Sequence, residues 1–99
     1  MDRRNEFSKL LHTLAPNVYF MPNENIAMKY PCIVYERAYP NVMYSDNFKY
    51  KKFDRYQVTV IDRNADSSIA NSIDELKFSS FDREFVSDGL IHHVFTIYF

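Results

Sequence analysis

The sequence predicts a single α+β domain: one small sheet with two helices packed on one of its faces. Three observations predict it. Two separate stretches carry the apolar spacing of amphipathic helices, several short runs rich in Tyr, Phe, Val and Ile read as strands, and the runs are punctuated by prolines and one glycine. Ninety-nine residues is a common single-domain size. A hydrophobic content of 46%, with 8 Tyr and 9 Phe, supplies a core and argues against disorder along the chain. Tyr and Phe also suit a pleated, half-buried surface, which favours sheet.

The first element is a helix over residues 3 to 14. Phe7, Leu10, Leu11 and Leu14 form one stripe at i, i+3, i+4, i+7, while Arg4, Glu6 and Lys9 lie opposite. Asp2 is its expected N-cap and Pro16 its stop. A short strand follows at 17–20 (NVYF), then an irregular stretch, then a stronger strand at 30–37 (YPCIVYER). Residues 39–54 hold turn formers around Ser45, Asp46 and Asn47, and predict an extended hairpin arm or a long flexible loop. The run at 55–62 (RYQVTVID) is a β-branched strand with Tyr56, Val58 and Val60 on one face and Gln57, Thr59 and Ile61 on the other.

A second helix is expected at 67–77, capped by Asp66 or Ser67, with Ile69, Ile73 and Leu76 as its apolar stripe. The chain closes on a hairpin, 81–86 and 91–99, around Asp88-Gly89, a strong short-range hairpin signal. The only glycine thus sits where a positive φ is needed. The order is α-β-β-β-α-β-β. The last strand carries Phe95, Ile97 and Phe99 on one face and Val94 and Tyr98 on the other. Two apolar faces predict a strand inside the sheet, or one whose second face meets another subunit.

Charge and composition narrow the function. Net charge is -1 and the pI near 6.3, without the basic excess that phosphate binding demands. The lone cysteine, Cys32, cannot form an intramolecular disulfide, and its apolar neighbours point to an inert buried thiol. No run reaches the ~20 apolar residues of a membrane span, and the N-terminus lacks the apolar core of a signal peptide. A soluble protein made in a reducing compartment is expected.

Motifs that would carry chemistry are missing from the sequence. His92 and His93 are adjacent on a strand and so point to opposite faces, which rules them out as a chelating pair in a regular strand. Asp62 to Asp66 resembles a calcium loop only faintly, lacking the glycine at the turn and the closing glutamate. There is no glycine-rich phosphate loop and no G-x-S-x-G elbow. No catalytic residue, metal or cofactor is expected.

The most function-like feature is Lys49-Tyr50-Lys51-Lys52-Phe53, followed by Arg55 and preceded by Tyr44 and Phe48. Interleaved charge and rings suit single-stranded nucleic acid. They also suit an edge strand guarded by lysines, or a protein interface with aromatic anchors. Asp46 and Asp54 flank the patch and weaken the first reading. Tyr44, Phe48, Lys49, Tyr50, Lys51, Lys52 and Phe53 are therefore the candidate interface.

Four stretches, YPCIVYE (30–36), RYQVTVIDRNADS (55–67), SSFDREFVSDGL (79–90) and HVFTIYF (93–99), resemble a group of small bacteriophage tail terminator, or tail completion, proteins that join tail to head. Together they cover 39 of the 99 residues, in matching order. The departure lies at Leu90-Ile91-His92-His93, where a polar Asn-His-Asp run before VFT would be expected. The resemblance implies a homo-oligomeric ring, commonly a hexamer, that caps the tail tube and presents a docking surface to the head-side connector. The implied partners are a second copy, the tube protein and the connector or stopper proteins. DNA would pass through the ring without sequence-specific recognition, no membrane is involved, and the implied location is the virion, after assembly in the bacterial cytoplasm. The alternatives are a stopper or adaptor ring of the neck, a small-molecule binding module and, more distantly, a small ribonuclease toxin relying on His92 or Arg83.

Overall fold

A computed structural model describes residues 3–21, 27–45, 48–64 and 66–99, with backbone alone for Arg3 and residues 39–54. The elements are α1 (Arg3–Leu14), β1 (Val18–Phe20), β2 (Cys32–Ser45), β3 (Phe48–Asp62), α2 (Ser68–Asp74), β4 (Ser79–Ser87) and β5 (Leu90–Tyr98), in the predicted order. The five strands form one sheet in the order β1-β2-β3-β5-β4. β1 runs parallel to β2, and every other neighbouring pair is antiparallel. β3 and β4 flank β5, so α2 serves as the crossover that leaves room for the last strand to insert between them.

The register explains the core. Ile33 pairs with Val60 and Tyr35 with Val58; Tyr56 then pairs with Ile97 and Val58 with Phe95. With a period of two, these residues share one face, and all are buried. The stripe of α1 (Phe7, Leu11) and that of α2 (Ile69, Ala70, Ile73) join them in one cluster, which places both helices on that face. Leu10, Leu14, Leu76, Val18, Phe20 and Phe99 pack around its margin. Phe7 is the centre: its ring stacks on Tyr56 at 4.5 Å, meets Tyr35 edge-on at 5.6 Å and touches Phe99 at 5.0 Å.

Local chemistry sets the ends of the elements. Ala15 donates its amide to Leu11 O before Pro16 stops α1. Its expected cap, Asp2, lies outside the described residues. α2 is capped by Ser67, whose Oγ accepts from Ala70 N at 3.2 Å. It ends at Asp74, with Glu75 as C-cap, three residues before the expected boundary at 77. Ser79 Oγ donates to Ile73 O at 2.8 Å, Ser79 N donates to Leu76 O, and Phe78 takes a left-handed φ of 67°. These bonds turn the last carbonyls of α2 towards β4 and stop the helix early.

The region 39–54 is a hairpin arm and not a loop: β2 and β3 continue through it as 14- and 15-residue strands. The molecule measures 45 × 25 × 23 Å, the longest dimension being what a strand of this length spans at roughly 3.3 Å per residue. At the other end, Asp88 (φ 54°) and Gly89 (φ 74°) make the two-residue connection between Ser87 and Leu90. Two positive φ values identify the type I′ geometry that matches strand twist. β5 is flanked on both sides, as its two apolar faces predict.

Candidate interaction surface

The arm is set off from the body by a break in register. Arg37 pairs with Tyr56, but the next pair is Val42 with Asp54, so residues 38–41 oppose Arg55 alone. Pro40 lies in this stretch, where a missing amide donor costs nothing to the ladder. Beyond it, Met43 pairs with Phe53, Tyr44 with Lys52, and, after a second shift, Ser45 with Phe48. Lys49, Tyr50 and Lys51 occupy that shifted stretch of β3. The backbone therefore brings Tyr44, Phe48, Lys49, Tyr50, Lys51, Lys52 and Phe53 together towards one end of the arm. Their side chains lie outside the described residues.

A second surface escaped the sequence. β4 is the outer strand of the sheet, and every residue from Ser80 to Ser87 is exposed. Three large apolar side chains stand on it: Phe81 (52% exposed), Phe85 (41%) and Val86 (68%). Phe81 meets Phe95 edge-on at 5.5 Å on the helical face, whereas Phe85 stacks on His92 at 4.6 Å on the opposite face. A register shift between Phe81 and Arg83 bends the strand. Arg83 lies 5.9 Å from the Phe85 ring and pairs with Asp82 at 2.7 Å. In sequence, Phe81-Asp82-Arg83-Glu84-Phe85-Val86 marks only one half of a hairpin. Only the strand order reveals an open edge, and strand order is not a local property.

The two histidines fall on opposite faces, as expected. His92 brings its Nδ1 within 3.2 Å of Leu90 O and has one ring face covered by Phe85. Arg83 and His92 thus share a face, with the Phe85 ring beside both. This is a packed surface row, with the guanidinium held by its own neighbour's carboxylate. His93 is buried beneath α2, its Nδ1 3.0 Å from Glu84 Oε1 and its Nε2 buried without a hydrogen-bond partner. The surrounding recess, about 350 Å³, is lined by Ser67, Asn71, Asp74, Phe81, Glu84 and His93, among others. An apolar recess of about 310 Å³ lies between Leu10 of α1, residues 76–78 and the end of β5, with exposed Phe78 in its wall.

Asp62 Oδ1 accepts from Asn64 N, and Asn64 Oδ1 from Asp66 N, so the calcium-like stretch is a pair of side-chain turns. Among the described residues no three His, Cys, Asp or Glu side chains gather as a metal site would require. Cys32 is buried on the face away from the helices, and desolvation pushes its thiol up to about 11. No described helix is long and apolar enough to cross a membrane. No family model, curated protein or solved structure matches the chain.

Proposed function

We propose that the protein is a structural subunit of a bacteriophage tail, forming a ring that caps the tail tube and joins it to the head-side connector. The observation that carries this reading is the open edge strand β4, with Phe81, Phe85 and Val86 exposed on a sheet otherwise well covered on its helical face. A long, apolar, unpaired edge is a hazard for a free monomer. It is an asset for a subunit that lives in an assembly. The β2–β3 arm adds a second projection from the body, suited to reaching an axial partner.

The resemblance supports the same reading. Its four stretches fall at the start of β2, on β3 with the turn into α2, on β4, and on β5. They are the framework of the sheet, and the element order agrees with the small α+β fold expected of such subunits. A ring closes through two different lateral patches, because head-to-tail contacts close by rotation. In this reading a hexamer is the expected size, the tube protein and the connector or stopper proteins are the axial partners, and the role is non-enzymatic.

Electron microscopy of particles produced without the gene tests the proposal. Tails unattached to filled heads are the expected result. Normal, joined particles would refute it, and capped tails of normal length beside leaking heads would move the protein to the stopper position.

A further inference from the structure

The charges of this chain are segregated across the width of the sheet. Among the described side chains, residues 4–61 carry five basic against two acidic; residues 62–99 carry three basic against seven acidic. The strand order converts this sequence asymmetry into a spatial one. β1, β2 and β3, with α1 against β1, form one side of the sheet, and β5 and β4, with α2 against both, form the other, so among the described residues one lateral side is basic and the side ending in β4 is acidic. On β4 itself Asp82 neutralises Arg83 at 2.7 Å, which leaves Glu84 and the turn residue Asp88 as excess negative charge.

We infer that the β4 edge is one half of a head-to-tail contact, and that its occupant is the basic β1–β3 side of a second copy of this chain. The apolar residues Phe81, Phe85 and Val86 supply the area that such a contact buries, and opposite charge supplies orientation. Pairing of β4 with another β4 is disfavoured by the same charges, since a two-fold axis brings the excess negative charge of Glu84 and Asp88 on one copy against that of the other. A contact between unlike sides repeats from copy to copy. This inference rests on the ring reading and names the surface that makes the ring.

The test places the photoreactive residue p-benzoylphenylalanine at Val86, the most exposed of the three, in the full chain at high concentration, and identifies the captured peptides by mass spectrometry. Crosslinks from position 86 to residues 1–61 of another copy are expected. Crosslinks to residues 79–87 of another copy, or none between copies, overturn the inference. Val86→Lys, a change at a site 68% exposed that leaves the core intact, should weaken association at least tenfold with unchanged circular dichroism; association equal to the unaltered protein overturns it too. Closed rings seen by microscopy, with position 86 capturing nothing, would sink this contact and leave the ring itself standing. A protein that neither associates nor joins a tail sinks both.

Discussion

Replacing Phe7 by Ala is the sharpest probe of how the helical layer is held. The ring is fully buried and contacts three other aromatic residues, Tyr35, Tyr56 and Phe99, at centroid distances of 5.6, 4.5 and 5.0 Å. Truncating a buried Phe costs about 3–5 kcal/mol, from lost transfer energy and an unfilled cavity. Aromatic pairing adds about 0.5–1.5 kcal/mol per contact, part of it already inside that figure. A loss of ~4 kcal/mol is expected. Domains of this size are stable by roughly 5–15 kcal/mol, so the variant would fold but lose a large part of its margin. Urea unfolding followed by circular dichroism measures it, with the midpoint falling by about 2 M for a slope near 2 kcal/mol per M. Lys9→Ala, on the exposed side of α1, should change stability by less than about 0.5 kcal/mol. A loss under ~1 kcal/mol for Phe7→Ala would refute the docking of α1 through this ring.

Four further outcomes are expected. Ser67→Ala removes the acceptor for Ala70 N and should cost about 1 kcal/mol in the same unfolding assay. Gly89→Ala meets no atom within 4 Å, so its cost comes from the φ of +74° alone; about 1 kcal/mol is expected, with Gly89→Val costing more. Cys32 should resist thiol reagents at pH 8 in the native protein and react fully on unfolding. Its folded pKa lies above its unfolded one, so its contribution to stability is complete below pH ~9 and is lost as pH rises towards 11, which pH-dependent urea titrations measure. Changing Lys49, Lys51 and Lys52 together to Glu should impair assembly of joined particles while leaving the melting curve unaltered; normal assembly would count against the arm as an interface.

Much of the fold was legible because local signals and tertiary needs agree. The alternation of Tyr56, Val58 and Val60 marked the core face, the stripe of Phe7, Leu10, Leu11 and Leu14 marked α1, and Asp88-Gly89 marked the last turn. The two apolar faces of β5 allowed an inner strand or a subunit contact, and the strand order gives the first. Long-range pairing was the illegible part. The parallel match of Val18 to Ile33 depends on a three-residue strand too short to carry a pattern. The early end of α2 depends on bonds from Ser79, five residues past its last helical residue. The exposure of Phe81, Phe85 and Val86 was hidden for the same reason: the sequence marks 81–86 only as one half of a hairpin, and it is the insertion of β5 between β3 and β4 that makes this strand an edge. Of the candidate interface, the sequence located the arm and missed β4.

Electron microscopy of the purified protein, alone and mixed with tail-tube and head-side proteins, tests the proposed assembly most directly. Closed rings with an axial opening are expected, formed by the protein itself or on the end of a tube. A strictly monomeric protein that binds neither tube nor connector would contradict it.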